Sequence, residues 1–162
     1  MKDLVTKLID ERAITNLLIE YCRALDAMDL KAIEKIFSED CVVEFGPDER
    51  LNSQGSKEVA KSLERMWRWV RTSHHLSNVQ ISFYDKDRAS SISYVLAWHE
   101  RADMTTAIIY GQYHDDLRRD IEGWRIVKRV MYMNGSDAGF TVNIHPFTRQ
   151  DPPDDWTPPN ID

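Results

Sequence analysis

Cysteine is scarce: Cys22 and Cys41 are the only two in 162 residues. Two thiols make neither a disulfide framework nor a zinc pattern. Glycine is equally sparse, at six residues, and none falls in a phosphate-cradling run. No CxxC, HExxH or nucleophile-elbow motif occurs, which removes the usual support for metal, nucleotide and activated-serine chemistry. No stretch approaches 18 consecutive apolar residues, so no membrane-spanning helix is expected. Basic residues, 21, are outnumbered by 27 acidic ones, giving a net charge of −6. That balance excludes the cationic footprint of a nucleic-acid binder or a peripheral membrane protein. Asp3, Asp10, Glu11 and Glu20 lie where a secretory signal would be apolar. A cytoplasmic protein is therefore expected.

What remains is 42% hydrophobic and 30% charged, the profile of one globular domain. Ile14, Leu17, Leu18, Tyr21, Leu25 and Met28 recur at three- and four-residue spacing, which predicts an amphipathic helix over residues 4–28. Asp29 can cap a short second helix carrying Leu30, Ile33, Ile36 and Phe37. A strand over 41–45 ends at Gly46-Pro47-Asp48, and Ser56 is the expected cap of a third helix running to about Val70. That helix would present Val59, Leu63, Met66, Trp67 and Val70 on one side. From Thr72 the period changes to two. Four long strands follow, near 74–83, 89–100, 105–117 and 124–133, joined by short turns.

The expected class is α+β: a cone-shaped, curved antiparallel sheet wrapped around N-terminal helices, with a pocket at its open end. Residues 1–133 form this domain. Residues 134–162 hold five of the six prolines, with Phe147 and Trp156, and form an ordered C-terminal tail belonging to the same domain. The tail is expected to lie on its own pocket mouth, on a neighbouring subunit or against a lattice contact.

A few polar side chains fall at apolar positions. Asp26 continues the stripe of the first helix at its C-terminus, the end of the helix dipole that disfavours a carboxylate. His74 and His75 open the first long strand and must face opposite ways. Strict alternation from Val79, Ile81 and Phe83 turns His75 inward, whereas a bulge between them turns His74 inward. His99 shares a face with Val95 and Ala97, while His114-Asp115-Asp116 reads as a solvated strand end and Cys22 as an inert packing thiol. A histidine oriented by an aspartate inside an apolar cone is the minimum apparatus for taking a proton from carbon or oxygen.

The run Tyr21-Cys-Arg-Ala-Leu-Asp26-Ala-Met-Asp29-Leu resembles the SnoaL-like branch of the nuclear-transport-factor-two-like superfamily. So do Ser38-Glu-Asp40-Cys-Val-Val-Glu-Phe45, Thr72-Ser-His74-His-Leu-Ser-Asn78, Gly111-Gln-Tyr113-His and Gly123-Trp124-Arg-Ile. Within that branch the pattern is similar to scytalone dehydratase, the bile-acid dehydratase and the hexachlorocyclohexane dehydrochlorinase, which use an Asp-His dyad for elimination. The resemblance places the dyad on Asp26 and His74, implying a bulge near residues 75–78, and a second pocket histidine on His99. Tyr21 matches the catalytic tyrosine of the bile-acid enzyme, whose pocket arginine falls on Met133. The two carbonyl-activating tyrosines of scytalone dehydratase fall on Leu25 and Phe45, which argues against scytalone as substrate, and Tyr113 occupies a polar pocket position.

These correspondences imply a cofactor-independent, metal-free lyase with Asp26, His74 and Tyr21 as catalytic residues. Leu25, Phe45, His99, Tyr113 and Met133 would line a site for a small hydrophobic, cyclic or aromatic substrate. An isomerase or polyketide cyclase acting through an enolate is the alternative. A non-catalytic binding or assembly module is a further one, with Trp67, Trp98 or the tail filling its pocket. A homo-oligomer, dimer or trimer, is expected through the outer sheet face, where Tyr94, Trp98, Ile108 and Tyr110 are too apolar for open water.

Overall fold

The computed structural model describes residues 2–139, 145 and 153–156. Helix α1, Lys2–Asp26, is followed by α2, Leu30–Ile36, and strand β1, Phe37–Glu44. A two-residue strand β2, Ser53–Gln54, precedes α3, Ser56–Leu63, and a 3₁₀ segment over Glu64–Arg68. Four long strands complete the chain: β3 Arg71–Phe83, β4 Arg88–Glu100, β5 Thr106–Asp120 and β6 Gly123–Ala138. Among the described residues no helix is long and apolar enough to cross a membrane.

The six strands form one sheet in the order β2-β1-β6-β5-β4-β3. The meander β3 to β6 is antiparallel as expected, whereas β1 joins β6 in parallel. Two of the four long strands run past their expected ends, β5 to Asp120 and β6 to Ala138 rather than Met133, and β3 begins earlier, at Arg71. The sheet curves because its strands carry extra residues. One falls in β3, where Ser77 pairs Tyr94 and Gln80 pairs Ile92; two fall in β6, at its pairings around Gly111 and Leu117. Gly111 is obligatory there, since a Cβ would meet the Tyr132 carbonyl oxygen at 2.4 Å.

The hollow of the sheet is filled by the apolar stripe of α1. Ile14, Leu18, Tyr21 and Leu25 are buried together with Ile33 and Ile36 of α2 and Val59 and Leu63 of α3. Each such side chain withdrawn from water contributes roughly 1.5–3 kcal/mol before chain entropy is charged. Helix α1 ends in a Schellman motif. Met28 takes a left-handed φ of 53°, its N–H bonds the Leu25 carbonyl at 3.1 Å, and the Asp29 N–H bonds the Ala24 carbonyl at 2.8 Å. Asp29 then caps α2 as its sequence position implies, accepting from the Ala32 N–H at 3.0 Å.

Two expectations need correction. Gly55, not Ser56, is the cap of α3, and it makes no side-chain cap bond. The helix also narrows to 3₁₀ at Glu64, which takes Trp67 and Val70 off the apolar stripe, and both are exposed. The expected docking of the proline-rich tail lies mostly outside the described residues. Within it, His145 bridges Met133 through paired backbone hydrogen bonds.

Candidate active site

The bulge in β3 decides which histidine faces inward. Asn78 takes a φ of 50°, a left-handed conformation asparagine tolerates better than most residues. The extra residue reverses the face of everything before it. Val79, Ile81 and Phe83 turn toward the core on one side of the bulge, and Thr72, His74 and Leu76 on the other. His75 is exposed, its Nε2 2.9 Å from the Ser73 hydroxyl.

His74 meets Asp26 where α1 ends. Its Nδ1 lies 2.6 Å from Asp26 Oδ1, and its backbone N–H donates to Oδ2 at 2.9 Å. The Thr72 hydroxyl donates to Oδ1 at 2.7 Å. Burial alone would raise the Asp26 carboxyl. The ring and backbone N–H of His74 and the Thr72 hydroxyl outweigh it and hold the carboxyl below its usual range. Asp26 therefore stays ionised and occupies Nδ1, leaving Nε2 of His74 as the nitrogen that can take a proton. The His74 side chain is only 4% exposed.

His99 stands edge-on to His74 with ring centroids 5.3 Å apart, and Trp69 packs against its other side at 5.0 Å. Burial and the neighbouring His74 push its imidazole down to about 4, so His99 is neutral at physiological pH. Its Nδ1 is buried and has no hydrogen-bond partner among the described residues. Leu25 is buried beside the dyad aspartate in sequence, and Met133 is half-buried in the cluster of the core.

Tyr21 and Tyr113 form a second group. Their rings pack edge to face at 5.7 Å, and Tyr21 also meets Phe37 at 5.9 Å. The Arg129 guanidinium lies 4.1 Å from the Tyr21 ring centre and 4.2 Å from that of Tyr113. Burial raises both phenols above their ordinary value, so each remains a protonated hydrogen-bond donor. Phe45 is buried under the Arg65 guanidinium. The structure thus gathers Asp26, His74 and His99 in one place, and Tyr21 and Tyr113 around Arg129 in another.

The Arg129 group escaped the sequence reading. Asp115 is not a solvated strand end: it is 2% exposed and holds Arg129 through two parallel hydrogen bonds. Burial works against the charge on Arg129, and Asp115 more than offsets it. Parity carried the available signal, because Asp115 alternates with Leu117, Tyr113 and Ile109, all inward. Cys22, by contrast, is the inert thiol its position implies, pushed up to about 11 by burial. Trp67 is exposed, and Trp98 stands on the outer face opposite Ile108, so neither fills the cone.

Residues 6–130 match the model of the SnoaL-like domain. The chain belongs to that family. Its fold is shared with a candidate scytalone dehydratase from Novosphingobium aromaticivorans DSM 12444, at 29% identity and a TM-score of 0.84, over 93% of this chain and 100% of that one. A hexachlorocyclohexane dehydrochlorinase of type 3 from Novosphingobium barchaimii LL02 is 17% identical, with a TM-score of 0.75 over 90% and 99% of the two chains. A candidate aromatic ring hydroxylase from N. aromaticivorans is 24% identical, with a TM-score of 0.74 over 81% and 94%. No curated protein matches the chain in sequence. The SnoaL-like neighbours thus include dehydratase and dehydrochlorinase folds, and none of them carries a substrate over to this chain.

Proposed function

We propose that this SnoaL-like protein is a cofactor-independent lyase in which His74, oriented by Asp26, removes a proton from carbon. The reading rests on the 2.6 Å contact between Asp26 Oδ1 and His74 Nδ1, which leaves Nε2 as the base. In an elimination Nε2 takes the proton, the C–H electron pair becomes the new double bond, and the leaving group departs with its own pair. The imidazolium then returns its proton to a departing hydroxide, so water is lost overall. Loss of halide needs the same base. So does a retro-aldol loss of formaldehyde, with His74 taking the hydroxyl proton instead.

His99, whose ring stands edge-on to that of the base, is the neutral donor that binds an oxygen of the substrate. Tyr21 and Tyr113, grouped around Arg129 apart from the dyad, are the protonated donors assigned to the far end of the substrate, where Arg129 supplies positive potential. Leu25, Phe45 and Met133 are the apolar wall. That lining suits a small, largely hydrophobic substrate, cyclic or aromatic. The His74 side chain is 4% exposed, so substrate reaches it only if neighbouring side chains move aside.

The protein would work as a homo-oligomer in the cytoplasm. Outward-facing Tyr94, Leu96 and Tyr110 offer the apolar face for a second copy, and Cys22 and Cys41 are free thiols suited to a reducing compartment.

Replacing His74 by alanine tests the reading. Turnover should fall on the order of 10² to 10⁴-fold with the fold retained. Full turnover by the variant would end the proposal. An isomerase or cyclase would lose activity equally, and the product's mass separates the cases: elimination loses the leaving group, while isomerisation conserves every atom.

A further inference from the structure

We infer that Thr72 is the positioning residue of the dyad, aiming and steadying the Asp26 carboxylate and acting on His74 only through it. The inference deepens the lyase reading and rests on it for its catalytic meaning.

The need for such a residue follows from where Asp26 sits. It is the last residue of α1, at the dipole end that repels negative charge, and its side chain is 27% exposed. Nothing in the helix fixes the plane of its carboxylate. Among the described residues, every hydrogen bond it accepts comes from a three-residue span of β3: the Thr72 hydroxyl and His74 Nδ1 on Oδ1, and the His74 backbone N–H on Oδ2. Without Thr72 the carboxylate would be held by His74 alone, and could pivot about the residue it has to orient.

Threonine suits the place. Residues two apart on a strand share a face, so a hydroxyl at 72 reaches the carboxylate that a ring at 74 also reaches. Its β-branch restricts χ1, so the hydroxyl loses little freedom when it bonds. The Cα partner of Thr72 across the sheet is His99, which sets it beside the second histidine as well as the dyad. The hydroxyl also draws charge from Oδ1, the oxygen that holds Nδ1 of the base. The other titratable groups that feel this carboxylate are Cys22 on α1, His74 on β3 and His99 on β4.

Two variants test the role without any substrate. Thr72→Val keeps the shape and removes the hydroxyl; Thr72→Ser keeps the hydroxyl. The readouts are the Asp26 carboxyl titration by carbon NMR and the downfield proton resonance of His74 Nδ1–H. Thr72→Val should raise the Asp26 midpoint by about half a pH unit or more and shift the Nδ1–H resonance, because a bond to the charged form is lost. Thr72→Ser should restore both. If Thr72→Val lowers thermal stability but moves neither signal, Thr72 is merely structural and the inference is overturned. Should the valine variant not fold, Thr72→Ala against Thr72→Ser gives the same contrast. With a substrate in hand, Thr72→Val should cost about tenfold in kcat with KM unchanged, the kinetic equivalent of one weakened orienting contact. A titration shift in a protein whose His74→Ala variant retains turnover would uphold Thr72 and sink the lyase reading, so the two failures are distinct.

Discussion

Asp115 and Arg129 face each other across β5 and β6, bonded Oδ1 to Nε at 2.7 Å and Oδ2 to Nη2 at 2.8 Å, with both side chains shut off from water. Breaking one side of such a pair strands a buried charge. Asp115→Ala should therefore destabilise the protein by about 3–5 kcal/mol in urea unfolding. Replacing both, as Asp115→Leu with Arg129→Met, should recover part of that loss. A double variant whose loss equals the sum of the two single losses would show that the two charges are not coupled.

His99 makes stability depend on pH. Its folded value of about 4 lies below the ordinary 6.5, through burial first and His74 second. The unfolded chain therefore takes up a proton before the folded one does. The stability is complete above pH 6.5 and drains away as pH falls toward 4, by on the order of 3 kcal/mol at the acid end. His99→Gln should flatten the unfolding free energy across that window. An unchanged slope would mean that His99 takes up its proton at the same pH in the folded and unfolded chain.

Tyr94 and Tyr110 are 41% and 44% exposed on the outer face, and Leu96 is 39%. A charge there should oppose association. Leu96→Lys or Tyr110→Lys should convert an oligomer to monomer in sedimentation velocity, with far-ultraviolet dichroism unchanged. A native protein that sediments as a monomer at tens of micromolar, roughly the range where weak interfaces already populate, would remove the homo-oligomer from the proposal.

Asn78 tests the bulge. Asn78→Gly should leave stability within about half a kcal/mol, since glycine accepts a φ of 50° freely. Asn78→Val should cost about 1–2 kcal/mol by the left-handed penalty. Deleting the residue should turn His75 inward and His74 outward, which proton NMR would register as loss of the bonded Nδ1–H resonance.

How much of this was legible in the sequence depended on the kind of signal. Apolar spacing located α1, α2 and the four long strands, because burial of one face imposes a period that single residues cannot hide. The dyad was reached by resemblance, and alternation by itself chose the wrong histidine. One extra residue in β3 inverts the face of every residue before it, and its signature, an asparagine able to adopt positive φ, is a single letter. Asp115 and Arg129 stayed hidden for another reason. Each is charged, and only the partner across the hairpin makes burial affordable. The exposure of Trp67 followed from a helix tightening at Glu64 that no cap or proline announces.

The contact between Asp26 and His74 spans 48 positions of the chain, whereas that between Asp115 and Arg129 spans 14. Closing the longer loop costs more chain entropy and requires α1 to lie against a sheet already in place. A half-folded chain can therefore hold its β5–β6 hairpin and internal ion pair while lacking the Asp26–His74 contact altogether. The geometry on which the proposed proton abstraction depends would be among the last features gained on refolding, and the first surrendered when α1 lifts away.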